Sequence, residues 1–203
     1  MKTDDCEIWE RVRAGSQQAV GELFGRYADE LLAYGMKLCQ DRETVKDSIQ
    51  NIFLEIINSA RRLNQIQHVK SYLFKSLRRE LASQTAKAKR FRLNEDMMPF
   101  YIQFDEEAYV MQDDEELLQQ ERRILLKAIA SLTARQKEVV YLHYIQGLPL
   151  DSVCDIMCLN YQSTRNLLHK AICRLRAYFG STGLISRATL LAMLTDVCKY
   201  LVQ

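Results

Sequence analysis

Six polar or cationic side chains recur on one face of the segment 161–176: Gln162, Arg165, Asn166, His169, Lys170 and Arg174, with no acidic residue before Ala177. Amide and guanidinium groups near the start of such a helix can read base edges in a major groove. Cations further along neutralise phosphates. The opposite face carries Thr164, Leu167, Leu168, Ala171, Ile172 and Leu175, a helical stripe suited to a core. A merely solvated face normally mixes its charges, so the one-signed face favours DNA binding. The helix must be positioned by what precedes it. Val153, Ile156 and Met157 give a short helix an apolar face, and the small Cys154 permits a close helix approach. Cys158, Leu159 and Asn160 form the turn, with Asn160 placed to cap the basic helix. The segment 148–176 therefore reads as helix, turn and reading helix.

Upstream elements support this pair. Thr133 and Gln136 are spaced as a capping box for a helix expected to bury Val139, Val140, Leu142 and Tyr144 and to stop at Gly147, with Pro149 opening the next. Before it, residues 122–129 read as a helix that ends at Leu132. The N-terminal part of the chain is a second helical block. A short helix around Ile8, Trp9 and Val12 ends at Gly15, and Ser16 caps a long helix with Val20, Leu23, Phe24, Tyr27, Leu31, Tyr34 and Leu38 on one side. Asp41 starts a helix whose stripe is Val45, Ile49, Ile52, Phe53 and Ile56, and whose other face shows Asp47, Gln50, Asn51 and Glu55, a surface suited to a protein partner. A loop over about residues 60–68 leads to a basic helix with Val69, Leu73, Leu77 and Leu81 inward and Lys75, Arg78 and Arg79 outward. From Lys70 to Arg92 there are eight cations against the single acid Glu80, so phosphate attraction follows from charge alone.

Composition bounds the rest. The chain has 203 residues, two prolines and seven glycines, with few strand-like alternations, which predicts an all-α protein of two small helical domains. A net charge of +2 conceals its distribution. Residues 1–93 hold 17 basic and 12 acidic side chains, residues 94–121 hold 10 acidic and no basic ones, and residues 122–203 hold 11 basic and 4 acidic. Two basic blocks joined by an acidic strip suit two nucleic-acid-facing modules on a tether. The charged start shows no apolar signal-peptide core and no run approaches a membrane span, so a cytoplasmic protein is expected. The six scattered cysteines read as reduced thiols. His68, His143 and His169 are far apart, Cys154 and Cys158 lack a second pair to complete a zinc site, and no phosphate loop or nucleophile motif is present. No catalytic residue, metal or cofactor is expected, and the protein is not read as an enzyme.

At this point the motifs carry a family resemblance. Asp47-x-x-Gln50-Asn51-x-Phe53, followed by a loop and by Ser71-Tyr72-Leu73-Phe74 on a basic helix, resembles the second conserved region of bacterial sigma factors. Leu132-Thr133-x-Arg135-Gln136-x-Glu138-Val139 before the helix-turn-helix resembles their fourth region. The pair with a short linker between is similar to the layout of the extracytoplasmic-function (ECF) group. Cys158 stands where the family's turn often has Gly, and Thr164 where it often has Val.

The resemblance implies a promoter-specificity subunit with core RNA polymerase and promoter DNA as partners. Its domains would be region 2 (1–93), an acidic linker (94–121), region 4 (122–178) and a C-terminal amphipathic helix (179–203). Asp47, Gln50, Asn51 and Glu55 would dock on the polymerase. The loop would capture a base flipped from the downstream (−10) element; it offers Asn58, Arg61, Arg62, Asn64, Gln65, Gln67 and His68 but no Phe, Tyr or Trp, so hydrogen bonding within a small pocket is favoured over a stacking platform. Ser71, Lys75, Arg78 and Arg79 would hold the adjacent duplex edge. At the upstream (−35) element, Gln162, Ser163, Arg165 and Asn166 are the candidate base contacts, and Arg135, His169, Lys170 and Arg174 the phosphate contacts.

The strip 94–121 holds Met97, Met98, Phe100, Tyr101 and Phe104 before Asp113–Glu116, too few apolar residues for its own core, so it reads as a tether. Its 28 residues span ~30 Å relaxed and ~90 Å stretched, against ~70 Å between DNA elements two turns apart. Its carboxylates are alternatively a nucleic-acid mimic that masks the basic faces. The tail from Leu184 to Val202 is expected to pack on the C-terminal domain; an inhibitory anti-sigma protein is a candidate partner for it, and membrane insertion is not expected. The competing reading of the whole chain is a stand-alone helix-turn-helix regulator whose N-terminal helices sense a signal or dimerise.

Overall fold

A computed structural model describes residues 4–89, 99–101 and 127–180, with the side chains of 85–89 and 178–180 left aside. All regular structure among the described residues is helical. The N-terminal part contains α1 (Asp5–Arg13), α2 (Gln17–Leu38), α3 (Arg42–Ser59), a single 3-10 turn (Ala60–Arg62) and α4 (Val69–Lys89). After residues 127–130, which are helical, the C-terminal part contains α5 (Ala134–Val140), a π-helical turn (Tyr141–Ile145), α6 (Leu150–Met157) and α7 (Tyr161–Gly180). The backbone separates into two compact units, one built on the chain up to Pro99 and one beginning at Phe100.

The helix starts follow local chemistry. Ser16 Oγ accepts from Ala19 N–H at 3.3 Å, and Asp41 accepts from Glu43 N–H at 3.2 Å, so both expected caps are made. The Thr44 hydroxyl and the backbone amides of Glu43 and Thr44 hold the Asp41 carboxyl below the usual carboxylate range. Gly15 ends the connection from α1 at φ +92°, a conformation that side chains rarely adopt.

In the first unit, α2, α3 and α4 pack mutually and α1 lies on α2. Ile8, Trp9, Val12, Leu23, Leu31, Tyr34, Val45, Ile56, Leu73, Phe74 and Leu77 are almost fully buried. Tyr34 stacks on Phe74 with centroids 5.0 Å apart. Phe24, expected in the core stripe of α2, is instead 46% exposed, and only its edge meets Phe53 at 5.1 Å. It lies at the margin of the arc that α3 covers. The close approach of α2 to its neighbours depends on Gly35, where an added Cβ would stand 2.4 Å from Val45 Cγ1 and 3.4 Å from Leu77 Cδ2.

In the second unit, α5 packs on α7. Thr133 and Gln136 form both halves of the capping box, Thr133 N–H to Gln136 Oε1 at 3.0 Å and Gln136 N–H to Thr133 Oγ1 at 3.3 Å. Val139, Val140 and Leu142 are buried as expected, but Tyr141 takes the interior position and Tyr144 does not. The π-helical turn, closed by Gln146 N–H to Tyr141 O at 3.0 Å, inserts one residue and rotates the later side chains out of the expected register. Gly147 at φ +65° then ends the segment. Phe100, which the sequence left in the tether, is 5% exposed and packs on Tyr141 with centroids 5.6 Å apart. Apart from residues 99–101 the acidic strip, including Asp113–Glu116, lies outside the described residues, as do the segment 122–126 and the tail 184–202.

Candidate nucleic-acid interface

The reading helix is assembled as its sequence requires. Asn160 Oδ1 accepts from Ser163 N–H at 2.7 Å, so Asn160 caps α7. Cys158 adopts φ +53°, the left-handed conformation that usually selects Gly at such a turn. Thr164 is fully buried and its hydroxyl donates to Asn160 O at 3.1 Å, which satisfies the buried polar atom. Of the candidate base contacts, Gln162, Arg165 and Asn166 are exposed and Ser163 is half-buried. Gln162 Nε2 donates to Asn166 Oδ1 at 3.2 Å, which orients two amides one turn apart on the same face. His169, Lys170 and Arg174 are exposed further along, and Arg135 is half-buried on α5. The Cys173 thiol lies 3.7 Å from His169 Nε2.

In the first unit, Asp47, Gln50, Asn51 and Glu55 are all exposed on one side of α3. Sequence reasoning missed the apolar members of this surface, Leu54 at 51% and Ile57 at 40% exposure, with Phe24 on α2. The signal was available: Leu54 and Ile57 fall outside the Val45–Ile49–Ile52–Phe53–Ile56 stripe. Such a mixture of exposed apolar and polar groups is what a protein docking face contains.

The segment after α3 exposes Arg61, Arg62, Asn64, Gln65, Gln67 and His68, and Asn58, expected with them, is exposed on the last turn of α3 itself. The loop backbone is held from α1. Trp9 Nε1 donates to Asn64 O at 3.0 Å, and Arg13 Nε to Leu63 O at 2.9 Å. On α4, Lys75 and Arg79 are exposed. Two expectations are corrected here. Arg78 is 3% exposed and does not point outward, and Ser71 is 9% exposed with a hydroxyl that finds no hydrogen-bond partner among the described residues. Ser71, Phe74 and Arg78 share one face, and because α1, α2 and α3 all pack on α4, its buried arc is wider than the single Val69–Leu81 stripe. Burial pushes the Tyr72 phenol above its ordinary pKa, with the negative charge of Glu55 adding to the effect. Among the described residues no helix is long and apolar enough to cross a membrane, and no group of His, Cys, Asp and Glu could hold a metal.

With these surfaces established, comparison with known proteins gives a consistent result. Residues 23–91 match the family model for sigma-70 region 2, and residues 122–175 match that for sigma-70 region 4. The chain is 24% identical over 166 residues to the ECF RNA polymerase sigma factor BldN of Streptomyces coelicolor, covering 82% of this chain and 62% of that protein. It thus spans about three fifths of that relative's length. Among solved structures it is similar in fold to CnrH in complex with the cytosolic domain of CnrY, at 16% identity and a TM-score of 0.53 over 87% of this chain and 97% of that one. The fold is also similar to the sigma factor RpoE, in complex with the anti-sigma factor NepR, from Bartonella quintana, at 17% identity and a TM-score of 0.54 over 79% and 96%. The chain belongs to the sigma-70 family of RNA polymerase sigma factors, in its extracytoplasmic-function group, with region 2 preceding region 4.

Proposed function

We propose that this chain binds core RNA polymerase and directs it to promoters whose two elements are met by its two units. The observation that supports this most directly is the order of the family regions on two units that each keep a polar face in solvent. In the first unit Asp47, Gln50, Asn51 and Glu55, with Leu54 among them and Ile57 at their margin, form the polymerase-docking face. Asn58, Arg61, Arg62 and Asn64 read and hold the melted strand, and Lys75 and Arg79 attract the adjacent phosphates. In the second, Gln162, Ser163, Arg165 and Asn166 contact base edges, while Arg135, His169, Lys170 and Arg174 contact phosphates. A good bidentate base contact is worth ~1–3 kcal/mol of discrimination, so two or three of them set a preference without the phosphate contacts.

Domain boundaries at 1–93, 94–121, 122–178 and 179–203 are part of the same reading, as is action in the cytoplasm. The bond-making chemistry belongs to the polymerase, and no catalytic role is assigned to this chain. The solved relatives include one held by an anti-sigma factor, and an inhibitory partner of that kind is proposed here too. The competing reading, a stand-alone helix-turn-helix regulator, has no use for a region 2.

Run-off transcription with purified core polymerase tests the proposal. Addition of the chain alone should yield promoter-specific transcripts, and replacing Asp47, Gln50 and Asn51 together by Ala should abolish them while leaving the unfolding midpoint unchanged. Sequence-specific DNA binding by the free chain, with no association with core polymerase, would overturn the proposal in favour of the stand-alone regulator.

A further inference from the structure

We propose that α1, which lies outside the matched region 2 segment, is the clamp that sets the shape of the base-reading loop, and that Trp9 and Arg13 are its positioning residues; this rests on the reading of that loop given above. Three side chains of α1 reach three carbonyls of the loop in antiparallel order: Cys6 Sγ to Gln67 O at 3.7 Å, Trp9 Nε1 to Asn64 O at 3.0 Å and Arg13 Nε to Leu63 O at 2.9 Å. The spacings of three and four residues place all three donors on one helical face. Among the described residues the loop's own backbone bonds sit at its two ends, Leu63 N–H to Ala60 O and Tyr72 N–H to His68 O. Between those ends its conformation is defined from α1.

The clamp grips only main chain. The side chains of Asn64, Gln65, Gln67 and His68 stay exposed, so the groups available to a base are left untouched while their carrier is fixed. A reading loop needs this arrangement, since hydrogen bonds discriminate bases only when their geometry is held before the base arrives. The clamp is itself fixed. Arg11 pairs with Glu22 through both guanidinium nitrogens at 2.9 and 3.0 Å, and Asp5 accepts from Arg26 and Tyr27, which ties α1 to α2. Trp9 is 1% exposed and its ring lies 5.1 Å from that of Tyr72 at the start of α4, so the indole N–H cannot turn to another partner without repacking.

The test uses holoenzyme made from the full chain and core polymerase, transcribing a promoter library randomised across the downstream element. Base preference is read as the enrichment ratio at each position. Trp9→Phe keeps an aromatic ring against Tyr72 while removing the indole donor and part of the buried ring volume, so an unchanged unfolding midpoint is checked alongside; Arg13→Met keeps the stem and removes the guanidinium. The double variant should lower downstream base preference about three- to tenfold, as expected for losing two part-buried hydrogen bonds that fix the reader. Core-polymerase affinity and preference at the upstream element should not change, and Arg13→Lys, which retains a donor, should restore most of the preference lost in Arg13→Met. Should the double variant fold poorly, Arg13→Met alone carries the test, because its other partner, Glu10, is an exposed pair. A loop variant, Asn64→Ala with Gln67→Ala, separates the two ideas. If it shifts base preference while the α1 variants do not, the clamp is overturned and the reading loop stands. If it also leaves preference unchanged, the loop is not the reader and the clamp falls with it.

Discussion

At the residue scale the fold of the first unit depends on one missing methyl group. Gly35 sits where α2 meets both α3 and α4, and a Cβ there would lie 2.4 Å from a methyl of Val45, itself fully buried. Because Gly35 lies within a helix, Ala has the better intrinsic propensity, by about 1 kcal/mol. The steric term opposes it, since overpacking a tight core costs about 1–3 kcal/mol and Val45 has no solvent to move into. Gly35→Ala should therefore destabilise the chain, by up to ~2 kcal/mol net, as a lower urea midpoint at unchanged slope. Val45→Ala in the same chain should reduce the cost of Gly35→Ala, because the two changes act on one contact. A Gly35→Ala chain as stable as the parent would mean that α2 and α3 slide apart freely. Thr164 shows the opposite economy of a single atom: its hydroxyl is deeply buried yet costs little, since Asn160 O accepts it at 3.1 Å.

At the scale of elements, caps and stripes were legible in the sequence and register was not. Ser16, Asp41, Thr133 and Asn160 each cap the helix expected of them, because a cap is decided by the few residues around it. Thr133→Ala removes one half of a reciprocal pair and should lower the stability of the second unit by about 1 kcal/mol, measured by thermal unfolding. A Gln136→Ala change should then add little, since its side chain bonds the same turn; full additivity of the two would count against a cooperating box. The exchange of Tyr141 for Tyr144 in the core could not be seen in this way. It follows from a π-helical turn, and a one-residue insertion leaves the apolar composition of the segment unchanged. Ser71 and Arg78 were misread for a related reason. A single stripe assumes one neighbour, whereas three helices pack on α4 and bury positions beside the stripe. On α7, by contrast, the exposed candidates are the ones the charge pattern indicated, because a one-signed polar face has no other place than solvent. The contacts from Trp9 and Arg13 to the loop join residues some fifty positions apart, and nothing local in the sequence announces them.

For the whole molecule the decisive quantity is the length of free chain between the two units. If all of residues 94–121 were tether, the stretched span would be ~90 Å. Phe100, however, is buried on Tyr141 and belongs to the second unit, so residues 101–126 run between two points of that same unit and add no reach. What connects Lys89, the end of α4, to the seated ring is residues 90–99, with a maximum of ~36 Å. A seated Phe100 therefore makes the tether short, and a released one restores the longer span. Phe100→Ala should change how the protein tolerates promoter geometry more than it changes promoter affinity. Lengthening the spacer between the two elements by one full helical turn, ~34 Å, preserves their facing and tests reach alone. On such a template, relative to the normal one, run-off transcription dependent on the upstream element should collapse for the parent chain. For Phe100→Ala a larger fraction should survive. Each protein is compared with itself, so the stability lost with the buried ring, up to ~3–5 kcal/mol for a full truncation, cancels from the ratio. Tyr141→Leu removes the seat from the other side and should behave as Phe100→Ala does. Equal ratios for all three proteins would show that the ring stays seated or leaves freely in every case, and the length of the tether would then be set elsewhere.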